Sequence, residues 1–288
     1  MNQINKEEIY NKSVVFIGPM GAGKTLISRE LENVLDLPVV STDLLRHCPH
    51  DIKQIEERKK EIDVERNYLK LKISSCIDEK EKKELKQKLY DLNAEFECRN
   101  RQIEMRNFLG DIKNYDDMGF DERVTVYLRK NFGEDAWHFY QKRFENALLE
   151  EVVNALPSPC ILDLGGGMTI SLDDDYKKLY SLFSSIDKNL TEKHLCNDLH
   201  FSKIKTILKP FKQIIYLKLP ENYKSQKTRA RETPLNDIFI SSGQYEEIAT
   251  KTISVEGLIE NGKINQTKLD SIISKTIEAP NKKKDKTK

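Results

Sequence analysis

Cysteine is sparse and scattered in this 288-residue chain: Cys48, Cys76, Cys98, Cys160 and Cys196 form no CxxC pair. Odd in number and widely spaced, they suggest neither a disulfide framework nor a zinc site, and they suit a reducing compartment. His47-Cys48-Pro49-His50 holds metal-binding residue types, but its spacing and its proline read as a loop, not a cluster. Charge of one sign is lacking too. The 48 basic and 47 acidic side chains leave a net charge of +1, so no overall field draws the chain to nucleic acid or to an anionic membrane. No apolar run approaches the ~20 residues of a membrane-spanning helix, and residues 1–12 lack the apolar stretch of a signal peptide. A cytoplasmic chain with neither nucleic acid nor membrane as partner is expected. The Lys-rich end, 278–288, reads as a solvated basic tail.

What is there begins as an α/β pattern. Val14 to Ile17 is a β-branched and aromatic run of strand length, Thr25 to Leu35 has helical spacing, and Val39-Val40 starts a second strand. Strand, glycine loop, helix, strand is the opening of a fold with a parallel sheet. Over 46–128 the pattern changes. Ile52, Ile55, Ile62, Leu69, Ile73 and Cys76 fall on a 3-4 repeat broken at Lys59 and Arg66, and Leu85, Leu89, Leu92, Phe96 and Ile103 continue it, broken at Arg99. Asp78 with Glu81 resembles a capping box between them. Two charged helices with narrow seams predict an antiparallel hairpin, each arm about 40 Å long at ~1.5 Å per residue. It reads either as a solvated arm or as a surface for a protein partner or for self-association.

After Gly133 the α/β pattern returns. A helix is expected over Tyr140 to Leu156, strands over Cys160 to Leu164 and Ile214 to Leu219, and helices over Ser241 to Ile253 and Gln266 to Ile277. Thr252 to Val255 is a candidate last strand. The expected architecture is an α/β three-layer sandwich of the P-loop kind with a mainly parallel sheet. Its core spans 1–45 and 129–277, and the helical hairpin interrupts it.

Gly18-Pro19-Met20-Gly21-Ala22-Gly23-Lys24-Thr25 satisfies GxxxxGK[ST] between a predicted strand and a predicted helix, the context that gives the pattern meaning. The glycines let backbone N–H groups converge on an anion, and the helix start adds its positive end. Lys24 is placed to reach the β- and γ-phosphates of ATP, and the Thr25 hydroxyl to ligate Mg²⁺. Asp43 closes the second strand and reads as the group that orients an acceptor hydroxyl, or as a helix N-cap. Gly165, Gly166 and Gly167 follow a strand directly and read as amides open to a ligand, or as a tight turn. Asp163, a carboxylate in a buried strand, needs a partner; it reads as a Mg²⁺-site residue or as a hydrogen-bonded structural one. Trp137 reads as a pocket wall or as a core side chain.

In order along the chain these segments resemble the shikimate kinase family. IGPMGAGKT (Ile17–Thr25) looks like its opening, STD (Ser41–Asp43) stands where it has DxD, and LGGG (Leu164–Gly167) where it has its glycine triplet. FGEDAWHFYQ (Phe132–Gln141) resembles its GExxFRxxE, and YLKLPEN (Tyr216–Asn222) its strand before the lid. ETPL (Glu232–Leu235) resembles its lid, and QYEEIAT (Gln244–Thr250) its late RxPLYxExA helix. The resemblance covers 14–46 and 132–277. It implies a nucleoside-monophosphate-kinase-like fold with a lid over ATP, Mg²⁺ and a small hydroxylated acceptor. It also implies that Gly18, Met20, Gly21, Ala22, Gly23, Lys24 and Thr25 hold the nucleotide, while Asp43, His138 and Gly165 to Gly167 meet the acceptor. The lid cations become Arg229 and Arg231. The departures cluster at the acceptor. His138 and Gln141 stand where the family has the arginine that holds the acceptor carboxylate and the glutamate that orients it. Ser41, Thr233 and Ser241 replace an aspartate and two arginines. Arginine's bidentate fork has no equivalent in His or Ser. The expectation is therefore a kinase with an altered acceptor, with a shikimate kinase using replaced contacts, or a nucleotide-gated interaction protein, as alternatives.

Overall fold

A computed structural model describes residues 5–132, 136–170, 200–220, 237, 239–260 and 263–277. In chain order the elements are α1 (Lys6–Lys12), β1 (Val14–Ile17), α2 (Lys24–Leu35), β2 (Val39–Ser41), α3 (Thr42–Leu45), α4 (Ile52–Ser75) and α5 (Glu79–Leu109). There follow α6 (Glu122–Phe132), α7 (Ala136–Ala155), β3 (Ile161–Asp163), α8 (His200–Leu208), β4 (Gln213–Lys218) and α9 (Gln244–Ile248). The chain continues with β5 (Lys251–Ser254), the small antiparallel pair β6 (Ile259–Glu260) and β7 (Lys263–Ile264), and α10 (Gln266–Ile277).

Strands β1 to β5 form one sheet in the order β2-β3-β1-β4-β5, every pairing parallel. The strands alternate between two apolar layers, as a period of two requires. Val15, Ile17, Val40, Leu162 and Tyr216 join the layer of α7 and α8, built on Phe144, Leu148, Val152, Ile204 and Leu208. Val14, Phe16, Ile161, Ile215 and Leu217 join the layer of α2 and α10, built on Ile27, Leu31, Leu269 and Ile272. Both faces of an all-parallel sheet are covered, which explains why β1, β3 and β4 are buried almost throughout.

The expected helix over Ser241 to Ile253 is a correction. Gly243, at φ +71°, starts a helix of five residues, and the β-branched run that follows pairs with β4 as β5. Backbone pairing wins there over helical spacing.

The hairpin helices run antiparallel: Arg58 grips Glu95 through Nε and Nη2 at 3.0 and 3.1 Å, and near the turn Lys72 meets Glu81 at 3.1 Å. Asp78 caps α5 by accepting from the Glu81 amide at 2.8 Å. Ile55, Ile62, Leu69 and Leu85 are the buried seam. Two charged residues that interrupt the repeat belong to it. Arg66 lies 4.5 Å and Lys59 5.2 Å over the Phe96 ring, an attraction to its π face. At its root the hairpin is continuous with the main core: Cys48, Ile55, Met105, Leu109, Ile112, Tyr115 and Leu128 share a cluster with Val15 and Leu162. Helix α6 runs across residue 128. Among the described residues no helix is long and apolar enough to cross a membrane.

Candidate functional site

The carboxyl ends of the central strands set the site. Register places Phe16, Ser41 and Asp163 side by side, and Ile17 opposite Tyr216. The segments after β1, β2 and β3 therefore leave the sheet together, where ligands of open α/β sheets bind.

Residues 18–23 connect β1 to α2. Gly18 has φ +145°, and a Cβ there would come within 2.8 Å of the Leu217 carbonyl oxygen, so only glycine lets the loop leave β1 beside β4. The N-cap of α2 is Gly23, and no side chain spends the first amides of the helix. Lys24 is buried and curls back over the loop, donating to the carbonyls of Gly18 at 2.9 Å and Pro19 at 3.1 Å. Burial pushes its ammonium below the ordinary Lys range, and the nearby Asp163 and Asp43 carboxylates pull the other way. An ammonium poorly solvated by its surroundings has much to gain from an anion.

Thr25 donates its hydroxyl to Asp163 Oδ2 at 2.7 Å. Asp163 is 4% exposed; burial raises its carboxyl above the usual carboxylate range, while Lys24 and the Thr25 hydrogen bond oppose that. The buried carboxylate thus has its partner, and the partner stands at the end of the 18–25 glycine segment. Asp163 and Thr25 together offer hard oxygen donors. That suits Mg²⁺, which keeps several waters and takes one or two protein oxygens besides phosphate. Among the described residues no cluster of three or more His, Cys, Asp or Glu side chains could hold a metal by itself.

Asp43 lies inside the short helix α3, whose N-cap position is Ser41, so it does not cap. Its side chain is half exposed and pairs with Arg46 at 2.9 Å. The glycine triplet packs against this pair and against the loop. A Cβ on Gly165 would lie 2.2 Å from Asp43 Oδ1 and 2.9 Å from Arg46 Nη2; one on Gly166 would lie 2.8 Å from the Met20 backbone nitrogen. Gly167 faces the Phe239 ring. The triplet is thus the seam where the 18–25 loop meets the Asp43 turn. The Gly165 amide donates to Thr42 Oγ1 at 3.0 Å, so it is engaged with protein. Replacing Gly166 with alanine is expected to cost ~1–3 kcal/mol of stability, since its Cβ would press on the Met20 backbone. The denaturant midpoint of the variant beside that of the wild type checks it.

Behind Asp43 stands a buried polar cluster that sequence reading missed. Glu145, 1% exposed, accepts from Lys142 at 2.7 Å, from Gln141 at 2.8 Å and from Arg46 at 3.4 Å. Lys142 also donates to the Gly167 carbonyl. Burial lowers the Lys142 ammonium and Glu145 counteracts it. For Arg46 burial opposes the charge, but the Asp43 and Glu145 carboxylates outweigh it and hold the guanidinium firmly protonated. Two sequence signals were available: Arg46 at i+3 from Asp43, and Lys142-x-x-Glu145, the cation–carboxylate spacing sought at 138 and 141, one helical turn further on.

His138 falls within α7, but its side chain, like that of Trp137, lies outside the described residues, and so do Arg229 and Arg231. His47 and His50 are paired with carboxylates, Asp116 at 3.2 Å and Asp111 and Asp117 respectively, in the loops at the hairpin root. Beside the 18–23 loop a small, mainly apolar cleft is lined by Ala22, Leu219, Val255 and Leu258.

The fold and this constellation define an α/β protein with a five-stranded parallel sheet and a phosphate-loop pattern at its carboxyl edge. No protein-family model matches the chain, and no curated protein sequence matches it.

Proposed function

We propose that the chain is an ATP-dependent phosphotransferase of shikimate-kinase type, acting on a hydroxyl of a small molecule. One observation carries the reading: the 2.7 Å hydrogen bond from Thr25 to Asp163 joins the phosphate-loop pattern to the strand carboxylate beside it, with Asp43 across the glycine triplet. In this reading the amides of 18–25 and the start of α2 receive the triphosphate. Lys24 exchanges its two loop carbonyls for phosphate oxygens and offsets charge that develops in transfer. Thr25 and Asp163 are the residues that would hold Mg²⁺, which when bound neutralises phosphate charge. The apolar cleft at Leu219 and Val255 suits the nucleotide base.

Asp43, half exposed and steadied by Arg46, orients the acceptor hydroxyl and is in position to take its proton. Arg229 and Arg231 serve as lid cations and His138 as an acceptor contact on the strength of the resemblance alone. A specific observation favours a second reading, shikimate kinase through replaced contacts: Lys142-x-x-Glu145 restores a buried cation–carboxylate pair next to the triplet.

The test is phosphoryl transfer from labelled Mg·ATP by the purified chain, with a pooled metabolite extract and with shikimate alone. A labelled small molecule formed from the extract but absent with Lys24→Ala is the expected result. Turnover of shikimate would establish the second reading. Nucleotide binding without any labelled product would sink both and leave a nucleotide-gated interaction protein.

A further inference from the structure

The turn that carries Asp43 is too short to hold itself. Helix α3 has four residues, and Ser41 at its N-cap gives it no side-chain cap. A helix of one turn forms in water only with support from elsewhere, and its last carbonyls have no partner within it. On one side Thr42 ties the turn to the glycine triplet, its hydroxyl oxygen accepting from the Gly165 amide at 3.0 Å. The other side belongs to the hairpin.

Helix α5 and the segment after it supply the missing partners. The Ser41 amide, on the outer edge of the sheet, donates to Met105 Sδ at 3.2 Å. Gln102 Nε2 donates to the Leu44 carbonyl at 3.0 Å, and the Tyr115 amide to the Arg46 carbonyl at 2.9 Å. The turn is thus held at its start, middle and end. Gln102 is 5% exposed, and Arg99 donates to its Oε1 at 2.9 Å. That second bond fixes which end of the amide faces Leu44, because only the nitrogen can donate. One position earlier, Arg101 meets both oxygens of Glu32 on α2 at 2.9 and 2.7 Å. Anchored to α2, α5 also sets the place of the Asp43 turn relative to the 18–23 loop.

We propose that Gln102 and Met105 are positioning residues of the acceptor site: through the 41–46 turn they fix where the Asp43 carboxylate stands relative to the bound nucleotide. This rests on the proposed role of Asp43 as the group that orients the acceptor hydroxyl. In it the 46–128 insertion supplies part of the frame of the site.

Two measurements on the full-length chain test the clamp. Gln102→Met keeps the length of the side chain and loses its donor; Met105→Leu keeps the bulk and loses the sulfur. In hydrogen exchange read by mass spectrometry, a peptide covering 41–48 is expected to exchange about tenfold faster in Gln102→Met and about threefold faster in Met105→Leu. A peptide covering 14–24 should not change. Phosphoryl transfer to the pooled extract, per nucleotide site counted by calorimetric titration, should fall about tenfold in Gln102→Met with Mg·ATP affinity unaltered. Counting sites removes any loss that comes from unfolded protein. Should Gln102→Met fail to fold, Met105→Leu carries the test, since cores tolerate that swap. Unchanged exchange at 41–48 overturns the inference, as does faster exchange shared equally by 14–24, or a transfer rate per site equal to that of the wild type. A wild type that transfers nothing overturns the functional reading instead, and exchange alone then decides the clamp.

Discussion

Lys24→Ala is expected to reduce Mg·ATP affinity by roughly 100-fold. Charge-assisted hydrogen bonds are each worth ~1.5–3 kcal/mol, and a buried ammonium has little competing water. In the apo protein the change should show in how stability depends on pH. The folded chain already holds this ammonium at a cost: burial lowers its pKa below the ordinary 10.5. A lysine titrating lower when folded binds fewer protons there than in the unfolded chain. Wild-type stability should thus rise with pH between the lowered value and 10.5, and the alanine variant should lack that rise. Calorimetry with Mg·ATP and denaturant midpoints between pH 8 and pH 11 read both effects. Unchanged heats in the variant would remove Lys24 from the nucleotide site.

The second large effect concerns stability. Glu145→Ala leaves Lys142 buried beside Arg46 with their shared carboxylate gone. Breaking a buried pair by removing one partner costs ~3–5 kcal/mol, a large share of a domain's margin. Glu145→Gln keeps an acceptor of the same shape and should lose about half as much. Arg46 keeps its closer partner Asp43, so that pair should persist in the variant. A midpoint for Glu145→Ala within ~1 kcal/mol of wild type would mean the cluster does not hold α7 against the triplet.

The opening of the chain was legible because several local rules agree there: a β-branched run, glycines where the backbone must turn, then helical spacing. The need of Asp163 for a partner was also legible, since a carboxylate inside a strand states it; that the partner is Thr25 was not. The Lys142–Glu145 pair was hidden, because charged residues three apart are ordinary on any helix surface. Only burial under the Gly167 carbonyl gives this pair meaning. Lys59 and Arg66 were read as interruptions because hydrophobic periodicity scores them as polar, whereas their charged ends rest on the Phe96 ring. The 241–253 segment misled only over the length of its helix; the candidate last strand at 252–255 is met by β5, which pairs with the edge of β4.

The root of the hairpin limits how the chain can be shortened. The Tyr115 amide donates to the Arg46 carbonyl at 2.9 Å, and Arg106 and Asn114 both donate to the Cys48 carbonyl at 2.8 and 2.7 Å. Excising 46–128 would strip seven side chains from the central cluster and take the guanidinium from Asp43. A shortened protein should instead be spliced beyond Ile55 and before Met105, leaving a stump. What looks like an ornament added to a finished domain has become part of its masonry.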